Sequence, residues 1–422
     1  MAKIVTKSKY PPIYRQHIFL PYFTHFACHN RVKNHLGKKD FSNLRAKKKK
    51  NIQRRRKVKA VCSRKEELAA AAAMTVSPSL SVARNGRVLI VGATGFIGRF
   101  VAEASLAAGR PTYVLVRPGP LHPSKADTVK SFKHKGAIIL HGLISDKTLM
   151  EKILREHEIE TVISAVGGAT ILDQIALVEA IAAVGTVKRF LPSEFGHDVD
   201  RADPVEPGLT MYEEKRKVRR WVEKSGVAYT YICCNSIASW PYFDNTHPSE
   251  VLPPLDRFQI YGDGTVKAYF VDGTDIGKFT IKTVDDIRTI NKNIHFRPPS
   301  NLYDINGLAS LWEKKIGRTL PRITITENHL LALAAENRIP ESIVASFTHD
   351  IFIKGCQVNF AVEGPRDVEV GTLYPGDSFR TLDECFNDFL LKLKDNLEPV
   401  HEENVSTKNA VVESRAVTPT CA

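Results

Sequence analysis

Cysteine is scarce in this sequence. The 422 residues include seven, at positions 28, 62, 233, 234, 356, 385 and 421, too few and too scattered for the disulfide framework of a small secreted protein. No CxxC pair is present, so the usual signature of a structural zinc site is missing and no metal is expected. Long apolar runs are also missing; Ile18 to Phe23 is short and broken by Pro21, and no membrane span is expected. The body of the chain lacks a charge excess as well. Of 60 Lys+Arg and 46 Asp+Glu, residues 1–73 hold 20 and 3, which leaves 40 and 43 for residues 74–422. That slightly acidic body argues against a nucleic-acid partner, although the whole chain carries +14. A hydrophobic content of 43% excludes wholesale disorder, and the length suits two or three domains at about 100–200 residues each.

Residues 1–84 read as a basic extension without a core. They contain the block Lys47 to Lys50, the block Arg54 to Lys57 and the run Ala69 to Ala73, with no repeating apolar stripe. Only Ser8, Ser42 and Ser63 fall in residues 1–73, a poor match to a plastid transit peptide. We expect the extension to be disordered and the working protein to start at Met74; a targeting segment and a nuclear or nucleic-acid arm are the alternatives. No targeting signal follows, so a cytoplasmic location is expected. Residues 397–422 lack periodicity and read as a disordered tail.

The pattern sharpens at Arg87. Val88 to Val91 is uncharged and β-branched, as a strand buried on both faces should be, and it runs into Gly92-Ala93-Thr94-Gly95-Phe96-Ile97-Gly98. Phe100, Val101, Ala104 and Leu106 then recur at helical spacing. A glycine turn between a strand and a helix brings backbone N–H groups and a helix N-terminus against a pyrophosphate, so this segment is expected to bind a dinucleotide. The second strand, Thr112 to Val116, ends in Arg117, where NAD-binding folds usually carry an acid. Arginine suits a 2′-phosphate, which predicts NADPH; Lys125 is either a second charge there or a solvated lysine. Further strands at Ala137–Leu140, Thr161–Ser164, Arg189–Leu191 and Ala228–Ile232 alternate with helices at Asp146–His157, Ile171–Val184 and Met211–Ser225. This alternation predicts an α/β fold, a doubly wound parallel Rossmann sheet over residues 85–235, followed by a smaller α+β substrate-binding domain over 236–396. Ser164 to Gly168 should pass under the nicotinamide half of the cofactor, with Gln174 a nearby candidate contact.

Candidate chemistry follows the fifth strand. The segment Pro192 to Asp198 leaves that strand where doubly wound enzymes keep substrate loops, and Met211 to Arg220 opens the next helix. Tyr212, Lys215 and Arg219 are offset by three and four and share one helix face. The Tyr-x-x-x-Lys of short-chain dehydrogenases is one residue short here, which turns attention from the tyrosine to Lys215. A lysine beside Arg219 in a partly dry cleft can have a depressed pKa and serve as general acid/base. Met211 and Tyr212 are expected at the substrate. Cys233 and Cys234 read as small buried apolar residues. Thr348-His349-Asp350 either caps a helix or lines the substrate cavity.

The glycine loop, Arg189-Phe190-Leu191-Pro192, Ile232-Cys233-Cys234-Asn235 with Ser236-Ile237-Ala238, and Thr348-His349-Asp350 together resemble plant leucoanthocyanidin reductases, in the isoflavone reductase-like (NmrA-like) branch of the atypical short-chain dehydrogenases. The resemblance covers about Met74 to residue 396. It implies NADPH-dependent reduction of a flavan-3,4-diol to a flavan-3-ol, with Lys215 as acid/base, His197 assisting and Arg219 contacting the cofactor. A benzylic 4-hydroxyl para to a phenol can leave once that phenol is deprotonated, and hydride then adds to the quinone methide. That sequence asks for a base and an acid. The alternatives are an isoflavone or phenylcoumaran benzylic ether reductase, and a non-catalytic NADP-sensing regulator.

Overall fold

The computed structural model describes residues 86–395. The basic extension, the expected start at Met74 and the tail at 397–422 lie outside the described residues. Strands β1 (Val88–Val91), β2 (Thr112–Val116), β3 (Ile138–His141), β4 (Thr161–Ser164) and β5 (Arg189–Leu191) form a parallel sheet in the order β3-β2-β1-β4-β5. Helices α1 (Phe96–Ala107), α2 (Pro123–His134), α3 (Lys147–Glu156) and α4 (Gln174–Val184) make the crossovers. The α/β, doubly wound Rossmann class expected from the sequence is the class observed.

Alternation along β1 explains why the strand carries no charge. Val88 and Ile90 enter one core while Leu89 and Val91 enter the other, so both faces of the strand are covered. The strand order reverses between β1 and β4, and the loops leaving their carboxyl ends diverge there to open a crevice.

Element boundaries shift where local hydrogen bonding intervenes. Helix α4 starts at Gln174 because residues 168–170 close a 3₁₀ turn first. Helix α5 (Gly208–Ser225) starts three residues before Met211, where Glu206 Oε2 accepts the Thr210 N–H at 3.1 Å and completes the first turn.

Beyond α5 the chain crosses the expected boundary at 235/236 repeatedly. Strand β6 (Thr230–Cys233) joins β5 through a single bridge, Phe190 to Tyr229. It pairs in parallel with β10 (Lys292–His295), which pairs with β13 (Asp367–Glu369). Between β6 and β10 lie β7 (Ser236–Ile237), β8 (Phe258–Tyr261), β9 (Lys267–Val271) and α6 (Gly273–Val284). Helix α6 packs on α1, and its Ile276 and Phe279 belong to the same core as Val88. A separate core around Trp312, Phe258, Tyr261 and Phe386 is built from β8, α7 (Ile305–Ile316), α8 (Glu327–Ala335), α9 (Glu341–Phe352) and α11 (Leu382–Asp395). Among the described residues, no helix is long and apolar enough to cross a membrane.

The α1–α6 contact depends on glycine. A Cβ at Gly277 would lie 2.3 Å from the Phe100 carbonyl oxygen, and one at Gly273 would lie 2.2 Å from the Phe100 ring. Gly277→Ala gains helix propensity but overpacks backbone against backbone, so a net loss of about 1–3 kcal/mol is expected. Thermal denaturation should show a Tm several degrees lower; an unchanged or raised Tm would show that the two helices do not meet this closely.

Candidate active site

Two hollows meet at the carboxyl ends of β1 and β4. The first, about 520 Å³, is lined by Gly92, Thr94 and Gly95 of the glycine loop, by Arg117 and Lys125, and by Ala165 to Gly167 after β4. Gly92 has φ +78°, and a Cβ there would lie 2.4 Å from the Ala165 carbonyl oxygen. A Cβ at Gly98 would lie 2.1 Å from the Gly92 carbonyl oxygen, which is why α1 can begin so close to the turn. Gly95 caps α1 with no side-chain acceptor and no acid follows in the first turn, so the helix presents its amides to the cleft. The seven loop residues divide their work: Thr94 and Gly95 line the cleft, Ala93 is buried beneath it, Ile97 packs into the core, and Phe96 meets Phe100 edge to face. Arg117 and Lys125 share the cleft at its far end, an arrangement that would hold a 2′-phosphate.

The second hollow, about 690 Å³, is lined by Gly168, Ala169, Glu206, Met211, Glu214 and Ile343, among others. Ala169, just beyond the end of β4, lines both hollows. Helix α9 can approach α5 here because residue 208 is glycine; a Cβ there would lie 2.1 Å from Ser346 Oγ.

The reactive residues stand between the loop after β5 and helix α5. Ser193 N–H donates to Gln174 Oε1 at 2.9 Å, so buried Gln174 ties this loop to α4 and does not reach the cleft. Half-buried Lys215, one turn beyond Met211, donates its Nζ to the Glu194 carbonyl oxygen at 2.8 Å. Burial lowers its pKa and the Arg219 cation adds to this, opposed by the Glu194 carboxylate. His197 holds the Tyr212 hydroxyl at Nδ1, while Nε2 has no partner among the described residues and is not sealed from solvent. Burial, with Lys215 nearby, pushes the His197 pKa down to about 4, so the imidazole is neutral near pH 7. Tyr212, expected at the substrate, is 4% exposed and lies behind His197 with its ring stacked on Phe347 at 4.7 Å. Burial pushes its hydroxyl well above the ordinary range, so it stays protonated.

Arg219 corrects an expectation. Its side chain is fully buried and does not line the nucleotide cleft. Nη2 donates to Glu194 Oε2 at 2.7 Å, and Nη1 donates to Asp198 Oδ1 at 2.7 Å and Asp200 Oδ2 at 3.1 Å. Glu194 and Asp198 belong to the segment after β5, in which the sequence suggests only a substrate loop. The available signal was charge matching: a carboxylate-rich loop precedes a helix carrying Arg216, Arg219 and Arg220. Arg216 also serves the loop, donating to the Val199 and Ala202 carbonyls at 2.7 and 2.6 Å.

Asp198, Cys233 and His295 place ligand atoms within 4.8 Å of one another. The Asp198 carboxylate already faces Arg219 and Arg201, and burial holds the Cys233 thiol protonated, a donor set that does not suit a cation. Cys234 is likewise buried, its pKa pushed up to about 12. Thr348 to Asp350 neither cap a helix nor line the second hollow; they lie buried within α9, where His349 Nε2 pairs with Glu327 at 2.9 Å. Arg219→Ala would strand two buried carboxylates, so a loss of about 3–5 kcal/mol is expected on chemical denaturation. Normal stability with a raised cofactor KM would return Arg219 to the cofactor.

The NmrA-like family model matches residues 84–386. Leucoanthocyanidin reductase of Desmodium uncinatum is 64% identical over 336 residues, covering 80% of this chain and 88% of that protein. A phenylcoumaran benzylic ether reductase of Ginkgo biloba is 45% identical over 305 residues, covering 72% of this chain and 99% of its own. Among solved structures, the binary complex of leucoanthocyanidin reductase with NADPH from Vitis vinifera is 70% identical, with a TM-score of 0.71, over 72% of this chain and 100% of that one. The glycine-loop crevice at the strand reversal and the reach of these matches lead to one conclusion: this chain belongs to the NmrA-like family.

Proposed function

We propose that the protein is an NADPH-dependent oxidoreductase that reduces flavan-3,4-diols to flavan-3-ols, a leucoanthocyanidin reductase activity. The observation that carries this reading is the pair Lys215 and His197, one an amine of lowered pKa and the other a neutral imidazole with a free nitrogen, with Met211 and Glu214 of the same helix as Lys215 lining the second hollow. The identity of 64% to a leucoanthocyanidin reductase supports it. The cofactor is held by the amides of the glycine loop and α1, with Arg117 and Lys125 on its 2′-phosphate. When bound, NADPH supplies a hydride to the benzylic carbon. Lys215 in its amine form takes the proton of the ring phenol. His197 hydrogen-bonds the departing 4-hydroxyl, the proton on Lys215 completes the water that leaves, and the phenolate restored by hydride addition takes up one proton from solvent. Met211 and the second hollow receive the flavan rings. The nucleotide half consists of residues 86–235 together with α6, β10 and β13, and the remaining described residues form the substrate half. The partner is a small molecule, with no nucleic acid, and the protein works in the cytoplasm.

A panel of flavan-3,4-diols, isoflavones and phenylcoumarans, assayed with NADPH and followed by product identification, tests the substrate class. Turnover of only the latter two would overturn the reading.

Arg117→Ala should raise KM for NADPH far more than for NADH, since a charge-assisted hydrogen bond worth about 1.5–3 kcal/mol is lost with the first alone. Equal effects would remove Arg117 from the site.

Lys215→Ala should lower kcat by roughly 10²–10⁴ with NADPH affinity little changed, and the pH profile of kcat should lose one limb. Near-normal kcat on a flavan-3,4-diol would refute the assignment.

A further inference from the structure

His197 has one proton to place. A neutral imidazole donates from either Nδ1 or Nε2, and the partner of one nitrogen decides the state of the other. Only an Nε2–H form can donate to anything other than Tyr212, because Nδ1 is taken by the Tyr212 hydroxyl. We propose that Tyr212 is a positioning residue that donates its hydroxyl proton to Nδ1 and thereby fixes His197 as the Nε2–H tautomer. The inference rests on the reading above that His197 meets the departing hydroxyl.

Hydrogen-bond accounting favours this direction. The Tyr212 hydroxyl has no hydrogen-bond partner except His197 among the described residues. Val199, Ala202, Cys356 and Phe347 pack around its side chain, and the hydroxyl is buried with them. Asp350, Glu194 and Cys356 act on the phenol electrostatically, yet none of them hydrogen-bonds it. If His197 donated from Nδ1, the tyrosine proton would be a buried donor without an acceptor, and Nε2 would be left as an acceptor. If Tyr212 donates, both groups are satisfied and the open nitrogen carries the hydrogen. The phenol is held protonated by its burial, so it can serve permanently as donor. The ring has little freedom to turn away, stacked on Phe347 with an interplanar angle of 25°. Phe347 also meets the His197 ring edge to face at 6.5 Å, so three rings fix one another.

The chain has 14 histidines, so the test begins with assignment. The full-length protein is labelled with ¹⁵N-histidine, and the His197 signals are identified by their disappearance in His197→Gln. The wild type should show His197 as the Nε2–H tautomer near pH 7. Tyr212→Phe keeps the stacked ring and removes only the hydroxyl; it should shift His197 toward Nδ1–H or a mixture. It should also lower kcat about tenfold or more, with KM for NADPH unchanged. A role in packing alone would leave the tautomer untouched in this variant. An Nδ1–H form in the wild type, no tautomer change in Tyr212→Phe, or a changed tautomer with unchanged kcat would each overturn the proposal. Failure of the underlying reading looks different: His197→Gln itself would turn over a flavan-3,4-diol at the normal rate, while the tautomer result would stand.

Discussion

The site depends on one buried cation. Removing a guanidinium from water costs several kcal/mol, recovered only when carboxylates meet it in good geometry. Arg219 has Glu194 and Asp198 at 2.7 Å, with Asp200 at the edge. These carboxylates all come from the loop after β5, which contains no regular structure of its own between Leu191 and Gly208. Fixing the Glu194 side chain fixes its backbone, and the Glu194 carbonyl oxygen is where Lys215 rests. The same cation lowers the Lys215 pKa from within. One residue therefore shapes the loop, places the amine and adjusts its proton affinity.

This explains why the site was only partly legible in the sequence. The glycine loop could be read because turn, close packing and helix start each demand a particular residue at a particular spacing. Arg117 could be read because the end of a strand fixes its place. Periodicity put Tyr212, Lys215 and Arg219 on one face of α5, and they do share it. Periodicity does not give depth. The face descends from the half-exposed Met211 to the fully buried Arg219, so the cofactor contact that the resemblance implied for Arg219 gives way to an anchor for the loop after β5. Tyr212, expected at the substrate, is covered by Phe347, which comes from a helix more than a hundred residues later.

The fold shows a similar division. Strands β4 and β5 follow directly from short apolar runs, and α/β alternation yields the parallel sheet. Pairing of β10 with β6 on one side and β13 on the other leaves no local mark, because parallel neighbours are joined by crossovers of about a dozen residues or far more. The contiguous boundary at 235/236 came from reading the chain in order, whereas the cores assemble it out of order.

That interleaving constrains how such a protein can diversify. A segment ending at 235 would leave β6 without the strand that covers its outer edge, and α1 without the helix whose Gly273 and Gly277 receive Phe100. Exchange of whole halves between relatives by a single crossover would therefore break the nucleotide half along with the substrate half. On the function proposed above, new specificities in this architecture arise inside the second hollow, at positions such as Met211, Glu214 and Ile343, while both halves are inherited together.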